Sequence, residues 1–340
     1  GVMIFLVAKE MKLSINASSL SVAAFYMWDV VSTFALEIRP DGMQTLFMLI
    51  GFYIFIKYYK QAYKRSTFLL VGASFGLMFF IGFNSLSFLI AFVIFAIFEI
   101  FTDKDPQNYK KFVVILLGFM IIFAGISLYF LIRGAFVEFQ FYYFVYNLDF
   151  SSIAPWTKES SPKLMHQFFI EKDIYLSLLA LLGFFTFNYS ETKNKLMLIC
   201  LLATISCYFI GFYPNYAFVF LPFCSILAAS FIDQFLLVRF YESNKITIRK
   251  LGVIFSLYLL FGSSSGNLLK YSKDLYTVDI KRQEISIDWV LKNIPRSEEV
   301  ALSKHACAAY VFNKDIRYFR RPGYHENKVA GRELDTDDLF

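Results

Sequence analysis

Long apolar segments alternate with short polar connections through most of the 340-residue chain, and this pattern predicts a membrane protein. A helix of about 17–25 residues is long enough to cross a bilayer. Nine segments meet this criterion once their flanking aromatic residues are included: 19–36, 44–56, 68–83, 86–101, 112–132, 174–187, 196–212, 217–238 and 251–269. We therefore predict an α-helical polytopic membrane protein with about nine transmembrane helices.

The basic residues indicate the orientation of these helices. One set of alternate connections is rich in Lys and Arg, and the positive-inside rule places that set in the cytoplasm. Its members are Lys9, Lys12, Lys57, Lys60, Lys64, Arg65, Lys104, Lys110, Lys111, Lys193, Lys195, Arg239, Lys245, Arg249 and Lys250. The other set holds only Arg39, Arg133, Lys158, Lys163 and Lys172. The connections that carry this second set, and the chain after residue 269, are therefore predicted to face the periplasm, cell exterior or lumen.

The two ends of the chain differ from its membrane part. Residues 2–8 are apolar but too short to span a bilayer, so we interpret them as the tail of a helix that begins before Gly1, which makes the chain N-terminally truncated. After residue 269 the composition is that of a soluble domain, with a helical pattern at 280–293 and a strand pattern at 299–303. We predict a transmembrane domain over 1–269 and a small extracytoplasmic α/β domain over 270–340.

Composition narrows the class of protein. Hydrophobic residues make up 57% of the chain and charged residues 18%, whereas soluble domains average about 45–50% and 25%. The net charge of +6 is explained by the topology, so membrane lipids rather than nucleic acid are the expected partners. The four cysteines have no metal-ligand spacing, and no phosphate-binding loop, nucleophile elbow or dinucleotide fingerprint occurs. No metal site is predicted, and the need for a divalent cation stays open.

The predicted outward turn Glu37-Ile38-Arg39-Pro40-Asp41 places three charged residues between two apolar segments. Pro40 disfavours helix at Arg39 and suits the first turn of the next helix, so Asp41 is placed at a helix N-terminus, where a carboxylate is stabilised. One interpretation is structural: Asp41 caps the helix and Arg39 reaches lipid phosphates. The other is functional, with a carboxylate and a guanidinium facing an outward cavity where an acceptor and a lipid phosphate meet.

The order of features resembles the GT-C superfamily of polyprenyl-phosphate-sugar-dependent glycosyltransferases, in particular the protein O-mannosyltransferase and aminoarabinose-transferase branch. Arg39-Pro40-Asp41 matches its external Arg-Pro-(Asp/Glu) loop, and a basic turn at 57–65 and a Gly-rich helix at 70–77 follow in the same order. Tyr213-Pro214-Asn215-Tyr216 is similar to the short external turn that precedes a Pro-containing helix in the family. The match covers about residues 19–230. Members often have a basic residue near Asn84 and His where Asn215 stands.

The resemblance implies sugar transfer from a polyprenyl-phosphate-linked donor to an extracytoplasmic lipid, glycan or protein acceptor, with inversion at the anomeric carbon. It implies no bound cofactor beyond that donor, and it places the loop with the usual catalytic base before Gly1. It also implies a bacterial inner membrane location, with the active face outside the cytoplasm. The implied catalytic residues are Asp41, Arg39 and Glu37, and those for the substrate or lipid phosphate are Arg133, Lys172, Tyr213, Asn215 and Tyr216.

Two other classes of membrane protein remain open from the residues alone. A polyprenyl-lipid transporter or flippase would carry ionisable residues at mid-membrane, commonly in repeated halves. The predicted spans are nearly free of charge, and no internal repeat is visible. An O-antigen polymerase or ligase would have Arg- and His-rich external loops, whereas the long loop at 133–172 has few such residues.

Overall fold

The computed structural model describes residues 1–34, 40–61, 63–102, 106–145, 163, 165–208 and 214–237. These residues belong to one compact unit, which comprises Gly1–Asn147 and Pro155–Asn267. Within the described ranges the regular structure is helical, and no strand occurs. The predicted helical class is therefore confirmed for this part of the chain.

Eleven α-helices make up most of the described structure. They are α1 Val2–Glu10, α2 Ile15–Met27, α3 Asp29–Phe34, α4 Pro40–Tyr58, α5 Arg65–Ile81, α6 Leu86–Thr102, α7 Pro106–Ile132, α8 Phe136–Gln140, α9 Ile174–Thr186, α10 Thr192–Tyr208 and α11 Leu221–Phe231. Short 3₁₀ segments occur at Phe83–Ser85 and Pro214–Val219, and π-helical segments at Phe141–Val145, Gln167–Lys172 and Ile232–Leu237.

Helical segments occupy each of the first eight predicted spans, but their lengths differ. Phe83–Thr102 and Gln107–Ile132 are long and apolar enough to cross a membrane, whereas Arg65–Ile81, Ile174–Thr186 and Leu221–Gln234 are shorter apolar helices. The ninth predicted span and the predicted C-terminal α/β domain lie outside the described residues. The full set of nine spans stays a prediction.

Glycines allow α5 and α7 to pack with their backbones in close approach. A Cβ atom on Gly72 would overlap the carbonyl oxygen of Ile115, and one on Gly118 would overlap the carbonyl oxygen of Leu69. One turn farther along, Gly76 faces Ile122. Contacts therefore advance in the same direction along both helices, so α5 and α7 are parallel. The intervening α6 must return in the opposite direction, as the alternating topology predicts.

A second close packing joins α9 and α11, where a Cβ on Gly183 would overlap the carbonyl oxygen of Leu227. Helix α11 also packs on α2, and α1 contacts both α2 and α4, which links this group to the α4–α5–α7 group. Aromatic rings fill the shared core. The largest fully buried side chains include Trp28, Phe52, Phe55, Phe68, Phe75, Phe88, Phe95, Phe220 and Phe223.

Within the predicted span over 19–36, the described part is two helices and not one. Trp28 has extended backbone angles, φ −61° and ψ 131°, which end α2, and Asp29 begins α3. Neither glycine nor proline is present at the break. Tertiary contacts of Trp28 and Asp29 therefore hold it.

The glycine contact between α5 and α7 predicts a position-dependent loss of stability. Gly118→Ala places a methyl group against the backbone of α5, which rotamer changes cannot relieve, so we expect a loss of about 1–3 kcal/mol. Gly125→Ala on the same helix is the matched control, since nothing lies within 4 Å of its Cβ position. The thermal midpoint of detergent-purified protein measures both effects. Equal midpoints for the two variants would contradict the close approach.

Candidate functional site

The break between α2 and α3 is held by the side chain of Trp28. This residue is fully buried, and its indole Nε1–H donates a hydrogen bond to Ser225 Oγ on α11 at 3.1 Å. The indole stacks on the Phe168 ring with centroids 5.9 Å apart and planes 2° apart. Phe169 meets the same indole edge-on and also stacks on Phe220. Aromatic packing therefore fixes the segment Gln167–Lys172 against the break.

Two carboxylates and a lysine meet at this break. The backbone N–H of Asp29 donates to both carboxylate oxygens of Asp173, at 3.2 and 3.1 Å. Lys172 Nζ donates to Asp29 Oδ2 at 2.7 Å. The free N–H groups in the first turn of a helix need acceptors. Asp173 thus caps α3 from a position 144 residues away in the chain.

Burial within this cluster is uneven. Asp29 and Asp173 are 5% and 1% exposed, whereas the Lys172 side chain is 54% exposed. The pKa of Asp173 is raised to about 7, mainly by burial. The nearby charge of Asp29 acts in the same direction, and the Asp29 N–H and Lys172 oppose it. Near neutral pH, Asp173 is therefore present in both protonated and ionised forms. Lys172 presents a positive charge at the surface of the cluster.

The first turn of α4 forms a second polar region, around the buried carboxylate of Asp41, which is 6% exposed. The Thr45 hydroxyl shares its hydrogen between the carbonyl oxygens of Asp41 at 2.8 Å and Phe218 at 3.1 Å. Gln44 Nε2 donates to the carbonyl oxygen of Gly82 and to Asn84 Oδ1, both at 2.6 Å. These bonds tie the start of α4 to the turn after α5 and to the 3₁₀ segment Pro214–Val219.

The 3₁₀ segment Pro214–Val219 connects the two polar regions, because it packs on both α3 and α4. Tyr216 in this segment is half-buried. The structure therefore brings the elements that carry Asp29, Asp41 and Tyr216 together at one end of the helices. A cavity of about 430 Å³ lies beside the start of α4. Its mostly apolar lining includes Val31, Gly42, Thr45, Leu46, Leu49 and Phe218.

The structure places the other predicted site residues away from this region or does not describe their side chains. Arg133 is exposed and lies over the Tyr129 ring at 5.7 Å, at the end of α7, which packs mainly on α5. For Asn215 only the backbone is described. Glu37, Arg39 and Tyr213 lie outside the described residues. The site roles predicted for these residues, and for Asp41, Lys172 and Tyr216, stay predictions.

Asp29 and Asp173 are residues of the polar cluster that the sequence analysis did not select. Asp29 interrupts an apolar segment that was predicted to be nearly free of charge. An ionisable residue within such a segment is a candidate functional residue, so the sequence could have indicated it. Asp173 directly precedes α9 and resembles an ordinary helix cap in sequence. Its contact with α3 has no local sequence signature. No group of three His, Cys, Asp or Glu side chains that could hold a metal ion occurs among the residues described here.

Comparisons with known proteins test the expected resemblance to GT-C glycosyltransferases. Residues 1–130 match the family model of dolichyl-phosphate-mannose-protein mannosyltransferase. The resemblance to GT-C glycosyltransferases is confirmed. The fold is similar to the crystal structure of ArnT from Cupriavidus metallidurans bound to undecaprenyl phosphate, with a TM-score of 0.56 and 11% sequence identity. The alignment covers 97% of this chain and 72% of that one. No curated protein sequence matches the chain.

The Asp173 contact predicts a pH-dependent stability. Its pKa is about 7 in the folded protein against an ordinary value of 3.8, so between these values the folded state holds a proton that the unfolded state has released. The contribution of Asp173 to stability must therefore decrease as the pH rises from about 4 to about 7. Asp173→Asn keeps an acceptor for the Asp29 N–H and removes the titration.

Thermal midpoints of the wild type and Asp173→Asn between about pH 5 and 8 provide the measurement. We expect the wild type to lose stability relative to the variant as the pH rises. Glu138→Gln is the control, because Glu138 is an exposed carboxylate outside the cluster, and it should leave the difference between wild type and Asp173→Asn unchanged. If the thermal midpoints of wild type and Asp173→Asn change in parallel with pH, the raised pKa of Asp173 is refuted.

Proposed function

We propose that this protein is an integral-membrane glycosyltransferase that moves a sugar from a polyprenyl-phosphate donor to an extracytoplasmic acceptor, with inversion. The observation that carries the proposal is the match of residues 1–130 to the dolichyl-phosphate-mannose-protein mannosyltransferase family. The likeness of the fold to ArnT bound to undecaprenyl phosphate supports the same donor chemistry. The proposal includes nine spans, an extracytoplasmic C-terminal domain and a bacterial inner membrane location.

The donor phosphate is assigned to Lys172 together with Arg133, Tyr213, Asn215 and Tyr216. Lys172 is half-exposed, and its ammonium is anchored to the buried carboxylate of Asp29 at 2.7 Å. An anchored cation needs little reorganisation when negative charge develops on a nearby group. Lys172 is therefore suited to stabilise the lipid phosphate as it leaves the sugar.

The acceptor side is assigned to Asp41 at the start of α4, together with Arg39 and Glu37, which precede α4 in the sequence. In the proposed reaction a general base takes the proton of the acceptor hydroxyl, and the acceptor oxygen attacks the anomeric carbon. The bond from that carbon to the phosphate oxygen breaks, and the lipid phosphate leaves with the electron pair. A single displacement of this kind inverts the anomeric configuration.

Replacement of Lys172 tests the donor assignment. We expect Lys172→Gln to lower kcat/KM for sugar transfer about 10- to 100-fold, since a charge that stabilises the leaving group is lost. Lys172→Arg should recover part of the activity because it keeps the charge. Lys163→Gln removes another exposed lysine and should have little effect. The assay is transfer of a labelled sugar from a polyprenyl-phosphate donor in membranes that contain equal amounts of each variant.

Full activity of Lys172→Gln would remove this residue from the donor site. Movement of a polyprenyl lipid across the membrane by wild-type protein, without any sugar transfer, would support the transporter class instead. Elongation or transfer of an intact glycan from a diphosphate-linked lipid would support the O-antigen polymerase or ligase class.

Asp41→Asn tests the acceptor side. The substitution keeps the size of a buried side chain and removes its charge. We expect at least a tenfold decrease in kcat, because loss of an acid–base group or of its immediate neighbour impairs removal of the acceptor proton. The same transfer assay measures it, and Asp233→Asn, at the far end of the bundle beside Ser14, is the matched carboxylate control. An unchanged kcat for Asp41→Asn would exclude Asp41 from the reaction.

A further inference from the structure

Three separate connections enclose a pocket on the face that the topology predicts to be cytoplasmic. They are the end of α1 with its following turn, the end of α4 with its following turn, and the turn that leads into α10. The cavity measures about 380 Å³. It is lined by Glu10, Lys12, Phe55, Ile56, Lys57, Tyr59, Lys60, Gln61, Glu191, Thr192 and Lys193. We call it the lysine pocket.

The charge of the lysine pocket is positive, since four lysines face two glutamates. Lys12 Nζ lies 2.6 Å from Glu191 Oε1, and Lys193 Nζ lies 3.6 Å from Glu191 Oε2. Lys193 also donates to the carbonyl oxygen of Glu10. Lys60 is exposed and has no carboxylate within ion-pair distance in the part of the chain that the structure describes. The pocket therefore has excess positive charge on the α4 side.

The α4 side of the pocket is rigidly built. Lys57 Nζ donates to the Tyr53 hydroxyl at 2.9 Å and lies 5.2 Å from the centre of that ring. Tyr59 is buried, its hydroxyl donates to Glu99 at 2.9 Å, and Lys111 Nζ donates to its carbonyl oxygen at 2.6 Å. Lys57 is thus held beside an apolar floor that Phe55, Ile56 and Tyr59 form.

We propose that the lysine pocket binds the phosphate headgroup of an anionic phospholipid from the cytoplasmic leaflet. Basic pockets between helix ends on this face suit such headgroups, and each lysine near the surface contributes to the attraction. The apolar floor accepts the glycerol backbone and the first carbons of the chains. The volume is at the lower end of the range for small-ligand pockets, about 300–1,000 Å³. This binding is independent of the proposed sugar transfer, which takes place at the opposite face.

Lipid-dependent stability tests the proposal. Detergent-purified protein is titrated with phosphatidylglycerol, phosphatidylcholine or inorganic phosphate, and the thermal midpoint is recorded. We expect phosphatidylglycerol to raise the wild-type midpoint saturably and phosphatidylcholine to leave it unchanged. Lys57→Gln with Lys60→Gln should raise the half-maximal phosphatidylglycerol concentration about 10- to 30-fold, as expected for two lysines near the lipid surface.

The matched control is Lys64→Gln with Lys110→Gln. Both residues are exposed on the same predicted face but do not line the pocket, and the pair changes the net charge by the same amount. This control should bind phosphatidylglycerol like the wild type. If the Lys57 substitution lowers the midpoint in phosphatidylcholine, Lys60→Gln alone provides the test, because its side chain is exposed.

Three results would overturn the proposal. An equal rise in the half-maximal phosphatidylglycerol concentration for the pocket variant and the control variant would show diffuse attraction to the surface instead of a site. Saturation by inorganic phosphate that abolishes the phosphatidylglycerol effect would identify free phosphate as the ligand. No shift with phosphatidylglycerol in the wild type would exclude lipid binding here. None of these results depends on whether sugar transfer is observed.

Discussion

The interruption after the second helix, at Trp28, is the constraint on which this end of the helices depends. Trp28 leaves the helical conformation without help from glycine or proline, and Asp173 supplies the acceptor that the new helix α3 requires. Free N–H groups at a helix start are costly when buried without a partner. The cap therefore links the segment before α9 to the segment that leads into α4, and it places Lys172 beside Asp29.

Close packing of helix backbones stabilises the helices that carry the break at Trp28. Apolar surfaces alone give little preference for one helix pairing over another within lipid, so shape and small residues decide the contacts. Gly72 and Gly118 bring α5 and α7 together, and Gly183 does the same for α9 and α11. Helix α11 also carries Ser225, which accepts the hydrogen bond from Trp28. The glycine contacts and the polar cluster thus belong to one connected structure.

The two ends of the helices differ in their electrostatics. The Trp28 end buries the carboxylates of Asp29, Asp41 and Asp173 beside the half-exposed Lys172, whereas the opposite end gathers four lysines around a pocket. An anchored lysine beside buried carboxylates suits a reaction in which a phosphate leaves. A lysine-framed pocket with an apolar floor suits a bound headgroup. The same residue type is therefore proposed to serve different chemistry at each end, because its neighbours differ.

Apolar periodicity in the sequence by itself determined the helical class, and the positions of most described helices follow the predicted segments because lipid requires internally hydrogen-bonded structure. The motif order also indicated the GT-C resemblance. Tertiary structure alone decided the break at Trp28, which depends on Ser225 and Phe168, and the pairing of Asp29 with Asp173 across 144 residues. It likewise gathered Lys12, Lys57 and Lys193 from three connections, since no local pattern encodes contacts between distant segments.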